Sequence, residues 1–246
     1  MNRSTVIMVR SKWRNAVALS ILALAAGACA GGTAAGSASG AVGGTPPAVN
    51  TADLPIAPDR VADSLLVDVR ELDPTIRVNA RYFGSDNFTG EPLPGYEANR
   101  VLLRREAAEA LARAHEALEA DGLGLLLWDG YRPARATEAM VEWTERVGRP
   151  DLITDGYIAS RSRHNLGLAI DLTLVRLQSG EPLDMGTPFD TFDSTAHTVN
   201  ATGRVRENRQ RLVRALEAQG FTNYANEWWH FSFDVPDPLR FDMPIR

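Results

Sequence analysis

The sequence predicts an α+β fold: one compact domain with helices packed on a central antiparallel sheet. Two observations predict it. Helical periodicity runs over 102–121, 134–148 and 202–220, while the segments between are short, alternating or apolar, and the two kinds of element do not follow a regular βαβ order. With 246 residues, 44% of them hydrophobic, the chain can also bury a proper core without staples. The single cysteine, Cys29, excludes an intramolecular disulfide. A formal net charge of −5 speaks against nucleic acid as a partner.

The N-terminal 28 residues read as a signal peptide. Arg3, Arg10, Lys12 and Arg14 form a basic stretch without an acid, followed by the apolar run AVALSILALAAGA at 16–28. That run is short for a membrane span. Cys29 follows at once, so the segment resembles a bacterial lipoprotein signal, with acylated Cys29 as the mature N-terminus. An ordinary secretory signal cut at a nearby small residue is the alternative. Residues 29–55 are Gly, Ala, Ser, Thr and Pro with almost no bulky side chain, which predicts a flexible tether. Losing 1–28 removes four positive charges and leaves −9. The expectation is an exported, periplasmic or cell-envelope protein touching membrane only through Cys29, with one folded domain over 56–246; no protein partner is inferred.

Within that domain, LLVDVREL and TIRVNARYF alternate like strands around the Asp73–Pro74 turn. The helix over 102–121 ends at Gly122, and LGLLLWDG (123–130) reads as a buried strand. A second helix opens after Pro133, and a third over 202–220 ends at Gly220. WWHFSFDV (228–235) closes the domain as an alternating strand. In SRHNLGLAIDLTL (162–174), Leu168, Ile170, Leu172 and Leu174 share one face, which leaves Asp171 on the other. A carboxylate there is costly unless something compensates it.

There are only four histidines. His115, mid-helix among Ala, Glu and Arg, reads as solvated or partly packed and without a role. His197 reads as a loop residue. His164 and His230 each stand beside a strand with an oddly placed acid. Regular strand would send Glu227 and His230 of NEWWHF to opposite faces, so Glu227 must sit in a turn or bulge to join one site. Two imidazoles and one carboxylate suffice to bind a catalytic zinc, whose charge would compensate Asp171. Zinc chemistry needs a second acid as proton shuttle, and Glu227 is the candidate. A cation for the developing oxyanion is also needed, and WDGYRP supplies Arg132. An ordinary buried His–Asp pair with Glu227 on the surface is the alternative reading of the same spacing.

These stretches carry a resemblance. SRHNLGLAID is similar to the SxHxxGxAxD pattern of zinc D,D-peptidases, and EWWH to their ExxH segment. With ARYFGSDNFTG (80–90), WDGYRP (128–133) and DMGTPFD (184–190), the chain resembles the VanX-type D-alanyl-D-alanine dipeptidase branch over about 75–246. The resemblance implies one zinc held by His164, Asp171 and His230, Glu227 as general base then acid, and Arg132 stabilising the tetrahedral intermediate. It places Ser162, Asp129 and Tyr82 in the substrate pocket and implies free D-Ala-D-Ala, cut to two D-alanines, as substrate. A pocket for both termini of a dipeptide needs acids near the ammonium, from Asp171, Glu227 and Asp129, and donors near the carboxylate, from Ser162 and Arg163. Two rivals remain. A D,D-carboxypeptidase or peptidoglycan endopeptidase of the same zinc group would show an open groove. A non-catalytic zinc-bearing cell-wall-binding protein would need neither Glu227 nor Arg132.

Overall fold

The structure, a computed structural model, describes residues 54–246. The signal peptide, Cys29 and all of the tether before Leu54 lie outside the described residues. Leu54 itself packs against the core.

Helix α1 (Asp59–Leu65) leads into strand β1 (Leu66–Asp68). There the Asp68 side chain accepts the N–H of Arg70 and starts the single-turn helix α2 (Val69–Leu72). The alternation over LLVDVREL therefore yields only three strand residues. In TIRVNARYF only Arg77–Val78 pair as strand β2, and Arg81–Phe83 form a 3₁₀ turn that buries Tyr82. Alternation fixes which side chains share a face, but pairing needs a neighbouring strand in register.

Strand β3 (Leu102–Arg104) pairs antiparallel with β1 and runs directly into helix α3 (Arg105–Glu119). The expected helix over 102–121 thus gives up its first residues to strand. Helix α3 buries Ala107, Leu111, Ala114 and Leu118, spaced three or four apart. It also buries His115 completely, beyond the solvated or partly packed expectation. The His115 Nδ1 accepts the backbone N–H of Leu125 at 3.1 Å, and Nε2 lies 3.0 Å from Thr75 Oγ1. It is a satisfied core histidine tying α3 to the sheet.

Strand β4 (Leu123–Asp129), helices α4 (Ala134–Arg146) and α5 (Asp151–Thr154), strand β5 (Ala169–Arg176) and helix α6 (Gly203–Glu217) follow. Two short strands, β6 (Thr222–Asn223) and β7 (His230–Ser232), end the sheet, so WWHFSFDV is strand over three residues only. The main sheet has the order β2-β4-β5-β7-β6. Its central pairings are antiparallel, and only the edge pair β2-β4 is parallel. Strand β5 lies in its middle, buried on both faces from Ala169 to Val175.

One core cluster joins α3, β4, β5 and α6 to Trp228, Trp229 and Phe231. A second gathers Tyr82, Tyr96, Tyr131, Met140 of α4 and the C-terminal Phe241 and Ile245. The site lies where they meet.

Candidate active site

Sheet register brings the central carboxylate to its partners. Asp171 of β5 pairs with His230 of β7 on one side and Asp129 of β4 on the other. The β4–β5 register slips between Leu127 and Asp129, which puts both acids in one row on one face. His164 arrives on a 3₁₀ turn, Arg163–Leu166, opened by the Ser162 hydroxyl accepting the N–H of His164 and closed by Gly167. Gly167 has φ +65°, and a Cβ on it would stand 2.5 Å from Leu66 Cδ2, so this position of the motif requires glycine. A Cβ on Gly130 would meet Val101 and the carbonyl of Leu102 at 2.6 and 2.7 Å. That close approach lets the Gly130 carbonyl accept the Nδ1–H of His164 at 2.7 Å.

The Gly130 carbonyl can only accept, so His164 carries its proton on Nδ1 and turns the lone pair of Nε2 inward. Nε2 lies 3.2 Å from His230 Nδ1 and 3.3 Å from Asp171 Oδ2, and His230 Nδ1 lies 2.9 Å from Asp171 Oδ1. One donor atom from each of His164, Asp171 and His230 falls within 4.8 Å of the other two. Two inward imidazole nitrogens and a carboxylate, with one imidazole oriented by a backbone carbonyl, are a donor set that fits a zinc-type cation. Burial alone would raise the Asp171 carboxyl, yet the imidazoles of His164 and His230 hold it well below the usual carboxylate range. Burial lowers His230 against the pull of Asp171.

Glu227 sits in the tight turn before β7, where His230 N–H donates to the Glu227 carbonyl at 3.2 Å. This irregular entry puts Glu227 and His230 on the same site, with Glu227 Oε2 3.8 Å from His230 Nδ1. Burial pushes the Glu227 carboxyl well up, and the nearby charges of Asp171 and Asp190 push it further.

Arg132 lies just past the end of β4. Its Nε and Nη2 donate to Asp129 Oδ2 at 2.9 and 2.7 Å, and its guanidinium stands 5.1 Å over the Tyr82 ring. Tyr96 donates to the other oxygen, Asp129 Oδ1, at 2.6 Å. Against burial, the Asp129 carboxylate keeps the guanidinium firmly charged.

These groups surround a cavity of about 390 Å³. Tyr82, Arg132, Ser162, His164, Asp171, Glu227 and His230 all line it. Asp129 does not: of the residues expected in a substrate pocket, it stands behind Arg132 with both oxygens engaged. Arg163 lines the cavity, but its Nη2 is turned to Phe233 O and Asp234.

The sequence reading missed Asp190. It lines the cavity and accepts the Tyr82 hydroxyl at 3.2 and 3.1 Å. It is also the non-glycine residue with positive φ, +57°, among the described residues. Burial first, then the charge of Asp171, pushes its carboxyl well up. Its loop is held by Arg209 of α6, which donates to the carbonyls of Met185, Thr195 and His197. The only sequence signal for it was its place at the end of DMGTPFD, since a loop acid has no periodicity to break.

The Peptidase_M15 family profile, described as D-ala-D-ala dipeptidase, matches residues 62–239. The chain is 42% identical over 189 residues to a D-alanyl-D-alanine dipeptidase of Enterococcus faecium, covering 70% of this chain and 93% of that one. It is 40% identical over 194 residues to one of Streptomyces coelicolor, covering 72% and 96%. A third, from Escherichia coli, is 34% identical over 180 residues, covering 72% and 88%. A match across most of the domain, with the triad, Glu227 and Arg132 gathered on one cavity, places this chain in the Peptidase_M15 family.

Proposed function

We propose that the protein hydrolyses the free dipeptide D-Ala-D-Ala to two D-alanines, with one zinc held by His164, Asp171 and His230. The observation that carries this reading is the meeting of four unlike groups on one cavity: a three-residue metal-binding set, the Glu227 carboxylate, the Arg132 cation and the Tyr82–Asp190 pair. Zinc, when bound, supplies Lewis acidity that polarises a carbonyl and acidifies water.

The chain's own residues do the rest. Glu227 takes a proton from the attacking water as its oxygen bonds to the peptide carbon. Glu227 then gives that proton to the amide nitrogen as the C–N bond breaks, so each product leaves with a full set of atoms. A carboxyl raised by burial holds a proton more readily, which favours carrying it from the water to the leaving nitrogen. Arg132 offers fixed positive charge to the carbonyl oxygen as it becomes an oxyanion, and Asp129 keeps the guanidinium from turning. Asp190, backed by Tyr82, is a carboxyl seat for the dipeptide ammonium, whose positive charge would favour the ionised form that burial and Asp171 oppose. Ser162 caps the His164 turn as an acceptor, which leaves its O–H to donate to the substrate carboxylate.

A cell-wall binder would have no use for a buried carboxylate beside the metal-binding set. The discriminating experiment offers D-Ala-D-Ala and a pentapeptide ending in D-Ala-D-Ala to the purified zinc-loaded protein. Release of D-alanine from the dipeptide alone is expected. Faster cleavage of the pentapeptide would make it a carboxypeptidase. We also propose export and lipid attachment at Cys29, for which Cys29→Ser should release the protein from membranes.

A further inference from the structure

Glu227 and His230 share a site only because the chain between β6 and β7, residues 224–229, departs from regular strand. Backbone bonds close this loop. Tyr224 N–H donates to the His230 carbonyl at 2.9 Å, Glu227 N–H to that of Tyr224 at 3.0 Å, and His230 N–H to that of Glu227 at 3.2 Å.

Asn223, the last residue of β6, adds a brace across the loop. Its Nδ2 donates to the Glu227 carbonyl at 3.2 Å and to the His230 carbonyl at 3.0 Å. One planar amide group therefore ties the peptide after the proton carrier to the peptide after a metal-binding imidazole. Chemistry fixes which way the amide faces: both carbonyls can only accept, and Oδ1 accepts the Thr198 hydroxyl at 2.7 Å. The segment that carries Thr198 grips the same loop twice more. Thr198 N–H donates to the Ala225 carbonyl at 2.9 Å, and the Ala196 carbonyl accepts Trp228 N–H at 3.1 Å. The peptide joining Glu227 to Trp228 is thus held at its C=O by Asn223 and at its N–H by Ala196.

Asn223 is not among the residues that line the cavity, so it acts through the groups it holds. Folding does not require it to satisfy the two carbonyls. Without it, the Glu227 carbonyl keeps His230 N–H and the His230 carbonyl keeps Tyr224 N–H. Its loss strands neither acceptor. The consequence should fall on where Glu227 and His230 stand.

We propose that Asn223, oriented by Thr198, is a positioning residue that holds Glu227 and His230 in their mutual placement on the cavity. This rests on the roles proposed above for Glu227 as proton carrier and His230 as a metal-binding residue. Small displacements are costly at such a site: a misplacement of about 1 Å can cost ~10²-fold in rate. Groups that orient metal-binding side chains are worth ~10–100-fold in metal affinity or activity.

The test measures zinc affinity of the full chain by chelator competition and, at saturating zinc, kcat and KM for D-Ala-D-Ala. Asn223→Asp keeps the shape and the Thr198 contact but replaces both donors with an acceptor facing two carbonyls. Asn223→Asp and Asn223→Ala should each weaken zinc binding by ~10-fold or more. Each should lower kcat by ~10–10²-fold, with KM unchanged because Tyr82 and Asp190 stand on other segments. Thr198→Val should show a smaller loss of the same kind, and the double variant Asn223→Ala/Thr198→Val should be no worse than Asn223→Ala alone. His115→Ala, destabilised in the core, is the control for lost stability and should keep its zinc affinity. Unchanged zinc affinity and kcat in Asn223→Asp overturn the proposal. So does a loss no different from that of His115→Ala, or additive losses in the double variant. A wild-type chain that binds zinc but leaves D-Ala-D-Ala intact would overturn the proposed substrate instead. Zinc affinity then decides the role of Asn223: weakened in Asn223→Asp it supports the brace, unchanged it overturns it.

Discussion

Replacing Asp129 with alanine should damage the site from behind, without touching the cavity wall. Asp129 is 1% exposed and accepts three hydrogen bonds, from Tyr96 at 2.6 Å and from Arg132 at 2.9 and 2.7 Å. In its absence the nearest acid to the Arg132 guanidinium is Asp171, whose Oδ2 lies 3.9 Å from Nη2. Removing one partner of a buried ion pair costs ~3–5 kcal/mol. For a domain of about 150–250 residues each kcal/mol moves Tm by ~2–4 °C. The expected loss is therefore ~6–20 °C, read by thermal unfolding at neutral pH. Below the new Tm, an Arg132 drawn toward Asp171 should also lower D-Ala-D-Ala turnover by ~10²-fold or more, as loss of an oxyanion donor does. Asp129→Asn keeps an oxygen for Tyr96 and should lose less stability. A Tm within ~2 °C of wild type for Asp129→Ala, or full turnover, would refute the assignment of Asp129 as the residue that positions Arg132.

His115→Ala should strand the Leu125 N–H and open a core gap, costing at least ~1–3 kcal/mol with zinc content unchanged. Burial lowers the folded-state pKa of His115 against the pull of Asp73 and Glu119. Its contribution to stability is therefore complete above the unfolded value of ~6.5 and lost as pH falls through the folded one. The Tm of wild type should accordingly drop more steeply than that of His115→Gln between about pH 7 and about pH 5; parallel curves would contradict this. Asp190→Asn should raise KM for the dipeptide far more than it lowers kcat, and an unchanged KM would remove Asp190 from ammonium binding. Tyr82→Phe should show a smaller effect of the same kind. His164→Ala and His230→Ala should each lose zinc on metal analysis, and full retention in both would dissolve the metal assignment.

The legible parts of this protein were those where chemistry broke a pattern. Asp171 interrupted an apolar strand, and His164 and His230 were rare residues beside acids, so three distant segments announced one site. The helices α3, α4 and α6 were legible because Gly122, Pro133 and Gly220 punctuate their periodicity. The first strands were not, because alternation over LLVDVREL and TIRVNARYF says nothing of pairing partners, and Asp68 capped a helix instead. His115 reads from sequence as solvated or partly packed because Arg113 and Glu116 flank it among alanines, whereas its environment is set by Leu125 and Thr75. Asp129 reads from sequence as a pocket residue, and Asp190 goes unnoticed, for a related reason. Both are acids at loop edges, and only tertiary contacts decide that one braces Arg132 while the other faces the cavity.

The central claim is that metal binding and proton transfer belong to different residues on one cavity. Zinc content and D-Ala-D-Ala turnover, measured together on Glu227→Gln, test it most directly. Glutamine keeps the shape of glutamate but cannot shuttle a proton, and general acid–base catalysis typically contributes ~10²–10⁴-fold. The variant should retain one zinc per chain and lose at least ~100-fold in turnover. Near-wild-type activity would contradict the mechanism, and loss of zinc with activity would make Glu227 a ligand and reopen the role of Asp171.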